Sequence, residues 1–430
     1  MWDQLPELIL TQIFGYLDRA DRASVSYVCR SWNRTLSSPV LWRSLTILID
    51  RDLRGDFSLA SEFAVKYGQH MRSLELAFSR PYISPRRIRN KRNNQIEAGA
   101  DFLGIVHAKD VQLQSLILTN WVLGYKWGNR GTLLCALTNF LRGQRNLEIL
   151  SLFNADFSVN DVLRLLKTVV KGSGEHLVSL NLCGAFREWQ APHDNPRYLH
   201  LLSCFHALTF LKLDYPALSN HALDALANGA SKTLKHLYIS VRDSDSRQHM
   251  VADAAWRNLV LSCSGLTVSY TIVNISHHED MYYLLLPSIP LAKFHMFSGH
   301  VWDQSRSRNF RNTIDLIITQ YTNTLVEVTL QLRNNRESLD DLLISMLVRC
   351  KRLMRLQYDG IIRNFETLRE ICQLQTEYKT HFKTIHVKPR YVNIQNRAIL
   401  NDINYQYDRK MHEQDVDFRI EDPTSILFFY

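Results

Sequence analysis

His277, His278, Glu279 and Asp280 form the densest run of metal- or proton-binding side chains in this sequence. Zinc or proton chemistry needs such donors converging on one point, and neighbouring residues on a helix point roughly 100° apart. The H-E-x-x-H spacing that would align two imidazoles is absent, so the run reads as a loop. Cys29 has helical spacing to Val25 and Trp32, which buries it and argues against a nucleophile. No G-x-x-x-x-G-K-[ST], G-x-G-x-x-G or G-x-S-x-G occurs. The chain therefore reads as a non-enzyme with no cofactor and no metal.

Recognition is the remaining chemistry. Arg80, Arg86, Arg87, Arg89, Lys91 and Arg92 crowd one stretch with no acid among them. They account for six of the formal +9, and the +3 that remains is ordinary. Two prolines and three asparagines accompany them, so residues 80–95 read as a basic loop. That loop is either solvated surface or a handle for an acidic or phosphorylated substrate, nucleic acid or an import receptor. Nucleic acid is disfavoured, because the cations lack the interleaved aromatics of a stacking surface.

Composition limits the setting. A chain of 430 residues with 46% hydrophobic and 22% charged side chains buries a core and is not disordered. No run of about 18 apolar residues occurs, which argues against a membrane span, and no secretory signal opens the chain. The seven cysteines are odd in number and lack a C-x-x-C pair, which argues for reduced thiols in the cytoplasm or nucleus.

The elements that would carry recognition begin at the N-terminus. Leu5, Leu8, Ile9, Ile13 and Leu17 share one helical face, widened by Phe14. Pro6 and Glu7 suit a first helical turn. A second helix is expected from about Arg22 to Trp32, carrying Val25, Val28, Cys29 and Trp32. Pro39 would open a short third one with Leu41 and Trp42. About 45 residues in three short helices rarely stand alone, so the segment either caps the rest of the chain or docks a second protein.

The order Leu5-Pro6, Ile13-Phe14-x-x-Leu17, Asp18 and Asp21, Val28-Cys29-x-x-Trp32, Leu41-Trp42 resembles the F-box. That motif binds the Skp adaptor of cullin–RING ubiquitin ligases (SCF complexes). The resemblance covers residues 1–47. It implies adaptor contact by Leu5, Pro6, Leu8, Ile9, Ile13, Phe14 and Leu17, with Val28, Cys29, Trp32 and Trp42 locking the helices and adding to it. Arg22 departs from the pattern, which has an apolar residue there, and is expected to weaken the packing of the first two helices.

After a helical linker at 48–70, the phrase L-x-x-L-x-L recurs. It is cleanest at Leu147/Leu150/Leu152, Leu177/Leu180/Leu182, Leu208/Leu211/Leu213 and Leu234/Leu237/Ile239. Variants start at Met71, Leu113, Leu291, Leu325, Leu353 and Phe382, and a degenerate copy at Leu266. Each phrase ends in the alternation of a half-buried strand, and helix-like stretches such as Val159 to Val170 lie between. One strand and one helix cannot bury their own apolar face, but stacked units can. An α/β protein with ordinary parallel strands is the alternative.

The repetition resembles leucine-rich repeats. The expected fold is α/β: a three-helix F-box followed by an irregular solenoid over 71–430, parallel strands inside and helices outside. Ala155, Ala185 and Pro216 stand where the family often has Asn or Cys. A cap over about 390–430 would contain a helix from Ala398 to His412 and the apolar end Ile426–Tyr430.

Strand alternation turns Phe153, Asn181, Asp214, Tyr238, Phe297, Gln331 and Asp359 towards a candidate substrate surface. The resemblance then implies a substrate-recognition subunit that joins the Skp adaptor and a cullin to a protein substrate. A non-degradative scaffold is the alternative.

Overall fold

The computed structural model describes residues 4–17, 19–53, 59–79, 89–121, 130–187, 190–245, 249–275, 277–298 and 309–421. Two compact units are formed, Met1–Gln190 with Asn195–Leu208, and Ala191–Asp194 with Thr209–Tyr430.

The first unit opens with helices α1 (Glu7–Gly15), α2 (Arg19–Val25) and α3 (Arg30–Leu36) and a 3-10 turn at Pro39–Trp42. Strand β1 (Ser44–Leu48) comes at once, then α4 (Ile49–Asp52) and α5 (Leu59–Tyr67). The unit continues through β2 (Ser73–Ala77), α6 (Arg89–Ala108), β3 (Ser115–Thr119), α7 (Arg130–Gly143), β4 (Ile149–Phe153), α8 (Val159–Ser173), β5 (Ser179–Asn181) and α9 (Pro196–Ser203). Strands β1 to β5 pair in chain order, all parallel.

The phrase explains this order. Leu74, Leu116, Leu150 and Leu180 stand in one register row, and Leu76, Leu118 and Leu152 in the next. All are buried, so each repeat's apolar edge is covered by its neighbour's. In this unit α6 lies on α7, α7 on α8 and α8 on α9. Helix α8 shows the local logic. Ser158 caps it by accepting from Asp161 N, and Val162, Leu165, Leu166 and Val169 form its buried stripe. Between repeats, buried Gln144 accepts from Leu113 N and donates to the Val111 carbonyl, both at 2.8 Å.

The second unit holds β6 (Phe210–Asp214), α10 (Asn220–Gly229), β7 (His236–Arg242), α11 (Asp253–Ser262), β8 (Thr267–Val273), α12 (His278–Leu284) and β9 (Leu291–Phe297). It ends with α13 (Phe310–Gln320), β10 (Glu327–Gln331), α14 (Asp340–Arg349), β11 (Arg355–Gly360), α15 (Glu366–Thr376), β12 (Thr384–Pro389), α16 (Ile394–Glu413) and β13 (Asp417–Ile420). Strands β6 to β13 again pair in chain order and parallel.

Each of the eleven phrases contains or directly precedes a strand, and strands β1 and β13 flank them. Strand β1 lies ahead of Met71, the expected start of the array, because Trp42, Leu45 and Ile47 make a phrase whose first position is aromatic. Within the expected linker at 48–70, α4 and α5 pack on α6. Strand β13 extends the sheet into the expected cap, with Phe418 beside Ile385 and Ile420 beside Val387. Its phrase is hidden because Asp415, at positive φ, holds the first position. The tail Ile426–Tyr430 lies outside the described residues.

Other expectations change. Of the basic loop 80–95, Arg80, Arg86 and Arg87 lie outside the described residues, while Arg89, Lys91 and Arg92 belong to α6. Buried Ile96, Phe102, Leu103 and Val106 further along the helix override the loop composition. The phrase at Leu266 is degenerate because β8 buries Val268, Tyr270 and Ile272, which puts Gly265 at the phrase's first position, and the β8–β9 pairing skips Ala292. The polar turn residue comes two places after the last Leu, not three. Asn120, Asn154 and Gly184 sit there at positive φ, and Asn154 Nδ2 donates to Asn120 Oδ1 at 2.7 Å. Only glycine fits at 184, since a Cβ would meet Asn154 Cα at 2.8 Å.

Candidate functional site

Helix α1 divides its apolar side chains between two faces. Leu10 and Phe14, four apart, point inward and are 1% and 2% exposed. With Leu36 and Leu41 they form a small closed core, against which Leu5, Leu17, Val25, Trp32 and Trp42 pack. Phe14 meets Trp32 edge-on with ring centroids 5.5 Å apart. Trp42 donates from Nε1 to the Leu36 carbonyl at 2.5 Å. Its ring also packs on Phe63 and Tyr67 of α5, so the segment's last aromatic lies against the array.

The other face has no such cover. Leu8 is 70% exposed, Ile9 39% and Ile13 37%. Val28, Tyr16, Tyr27 and Val40 are exposed as well. The core excludes these residues because its four inward positions are already filled.

The structure sorts the sequence-derived set accordingly. Pro6, Leu8, Ile9, Ile13 and Val28 are exposed, Phe14 is buried, and Leu5, Leu17, Cys29, Trp32 and Trp42 are half-buried. Leu10, the centre of the core, escapes the sequence pattern because it falls off the stripe that starts at Leu5. The single second helix is broken at residues 26–29. Cys29 adopts an extended backbone and caps α3, accepting from Trp32 N at 3.5 Å.

Arg22 overturns its expectation. Its guanidinium donates from Nε to the Phe14 carbonyl (3.0 Å), from Nη2 to the Gly15 carbonyl (3.2 Å) and from Nη1 to the Leu41 carbonyl (2.5 Å). It also lies over the Trp42 ring, 5.6 Å from the centroid. The carbonyls at the end of a helix lack intrahelical partners, and a cation there meets the negative pole of the dipole. An apolar residue would pack there but leave the Gly15 and Leu41 oxygens to water, and that of Phe14 with Leu17 N alone.

The candidate substrate residues are distributed over the strands. In the first unit Phe153 is 43% exposed, and Asn181 donates to Ser151 Oγ at 3.2 Å. In the second, Phe297, Gln331 and Asp359 stand side by side in one register row of β9, β10 and β11. Asp359 accepts both branches of Arg390 at 2.6 and 3.0 Å. Asp214 and Tyr238 fall in different rows. At the other end of β10, opposite Lys293, Glu327 is the hub of a charge cluster, with Lys293 at 3.0 Å, His295 at 3.2 Å and Arg355 at 3.3 Å.

The run at 277–280 is not the expected loop. His277 stands just ahead of α12, and His278 begins it, buried 3.4 Å from Thr313 Oγ1. Among the described residues no group of three His, Cys, Asp or Glu side chains could hold a metal ion. No described helix is long and apolar enough to cross a membrane.

Comparison with known proteins agrees with this geometry. A family model described as F-box-like matches residues 2–48. F-box/LRR-repeat protein 21 of Bos taurus is 23% identical over 367 residues, 83% of this chain and 76% of that protein. The protein of that name from Ovis aries is 22% identical over 83% of this chain and 76% of its own length. The one from Mus musculus is 25% identical over 60% and 57%. Among solved structures, a crystal structure of a TLR13–ssRNA13 complex covers 82% of this chain, with 12% identity and a TM-score of 0.33. This chain spans 49% of that one.

Proposed function

We propose, from the premise that this F-box/LRR-type chain joins an F-box-like segment to a leucine-rich-repeat-type array, that it is the substrate-recognition subunit of an SCF-type ubiquitin ligase. The observation that carries the reading is the exposed strip of Leu8, Ile9 and Ile13 on a segment whose own core is complete. Such a strip is a protein contact held ready. Burying what remains exposed of these three aliphatic side chains contributes about 3 kcal/mol to association. The Skp adaptor is the partner that the F-box pattern names, and a cullin is recruited through it. The strand face of the array takes a protein substrate, with Phe153, Asn181, Asp214, Tyr238, Phe297, Gln331 and Asp359 among its contacts. Catalysis belongs to the conjugating enzyme of the assembly, and this chain supplies proximity and orientation. Its seven free thiols support a cytoplasmic or nuclear setting.

Replacing Leu8, Ile9 and Ile13 together by Ala tests the reading by co-purification with the adaptor. The outward positions make the expected result a loss of binding by about two orders of magnitude, on the order of 3 kcal/mol, with the fold kept. Undiminished binding removes the proposal. Cullin recovery with the adaptor separates a ligase subunit from a non-degradative scaffold.

A further inference from the structure

The solvent face of β6 to β9 carries a patch of cations and aromatic rings. Register sets Lys212 beside Tyr238, Tyr238 beside Ser269 and Ser269 beside Lys293. At about 4.8 Å per strand the row is roughly 14 Å long. Towards the strand starts, Phe210 lies beside His236 and His236 beside Thr267, with Lys235 preceding His236. Lys212 Nζ is 5.6 Å from the centre of the Tyr238 ring. Phe210, 42% exposed, stacks on His236 with centroids 4.5 Å apart. Lys212, Lys235 and His236 are exposed, and the Lys293 side chain is 43% exposed.

The hydrogen bonds fix the imidazole. Thr267 Oγ1 donates its one proton to the Lys235 carbonyl at 3.0 Å, so its 2.8 Å contact with His236 Nδ1 is donated by the ring. Neutral His236 then presents Nε2 as an acceptor. Burial first, then Lys293 and Lys235, hold this imidazole below its ordinary pKa. Two lysines acting on this ring mark a positive field, in which the Glu327 carboxylate meets Lys293 at 3.0 Å. Glu327, the next residue of the row after Lys293, is divided among Lys293, His295 and Arg355.

Resting on the receptor reading above, we propose that this patch binds an acidic segment of the protein substrate. Lys212, Lys235 and Lys293 meet its carboxylates, and Phe210 covers an adjoining apolar residue. Charge complementarity selects the partner, and extent selects its kind. Glu327 on β10 ends the row after Lys293, and Asp214 follows Lys212 two residues along β6, so a polymer of evenly spaced phosphates would run onto a carboxylate in either direction. A short acidic run fits between them.

The test uses the full chain co-expressed with the Skp adaptor. A fluorescein-labelled peptide of glutamates flanking one leucine is titrated by anisotropy, with its lysine counterpart and a thymidine oligonucleotide as comparisons. The expected result is saturable binding of the glutamate peptide that weakens as salt rises from about 50 to about 300 mM. Lys212→Glu with Lys235→Glu weakens it about tenfold or more, and Lys212→Gln with Lys235→Gln acts in the same direction. Absence of binding, insensitivity to salt, equal affinity of the variants or stronger binding of the oligonucleotide overturns the patch. Adaptor recovery is scored in the same preparations. Its loss with peptide binding intact counts against the receptor reading alone.

Discussion

Replacing Arg22 by Leu restores the residue type that the F-box pattern has at this place, and the structure makes the change destabilising. The carbonyl oxygens of Gly15 and Leu41 lose their donor, and that of Phe14 is left with Leu17 N at 3.2 Å. A buried hydrogen bond from a charged donor contributes about 1.5–3 kcal/mol. Arg22 is half-buried and water can reach part of the site, so a third to a half of the summed value is the fair figure, about 2 kcal/mol. The contact with Trp42 adds about 0.5–1 kcal/mol. Against this, a leucine gains about 1 kcal/mol from partial burial. The net loss is about 2 kcal/mol, felt locally, because the core of Leu10, Phe14, Leu36 and Leu41 is separate from the strand ladders. Hydrogen exchange read by mass spectrometry suits it. Peptides from residues 5–42 should exchange about thirtyfold faster in Arg22→Leu, while peptides from β3 to β5 stay unchanged. Arg22→Lys should fall between, since a point charge cannot fork to three oxygens. Protection in Arg22→Leu equal to or above that of the native chain would refute the carbonyl argument and return Arg22 to the role of a tolerated defect.

Glu327 gives a pH signature. Burial alone would raise its pKa, but Lys293, His295 and Arg355 outweigh burial and hold it below the ordinary 4.5. Its stabilisation is therefore present above that value and lost as pH falls through the lowered one. Urea midpoints at pH 7 and about pH 3.5 should drop less in Glu327→Gln than in the native chain, and the variant should be about 1 kcal/mol less stable at pH 7. Equal slopes would remove the cluster's contribution. Thiol reactivity tests the burial pattern. Exposed Cys135 should react first with an aromatic disulfide reagent at pH 8. Cys350 and Cys372, pushed by burial to about 11 and about 12, should wait for unfolding.

The repeat phrase made most of the fold legible, because strand alternation and neighbour covering are both written in apolar spacing. Where the array departs from the phrase, the reasons are local. Trp42 hid β1 by belonging to two patterns, and Asp415 hid β13 by putting a polar residue at the apolar position. In β8 the buried residues are Val268, Tyr270 and Ile272, so Gly265 holds the phrase's first position, which no count of leucines reveals. In the docking segment, periodicity found the stripe but could not say which part faces inward. Leu10 and Phe14 were chosen by Leu36 and Leu41, which are distant in sequence. Arg22 was illegible for the same reason, since its three acceptors are backbone atoms of residues 14, 15 and 41.

Trp42 has one further consequence. It closes the core of the docking segment, rests on α5 and stands at the first position of β1's phrase, with Arg43 alone between it and that strand. The join has no swivel. In the proposed assembly the first unit would leave the adaptor at one fixed bearing, like a bracket rather than a tether. Target lysines would then be chosen by geometry set when the chain folds, and a few glycines inserted after Arg43 would exchange that aim for a diffuse search.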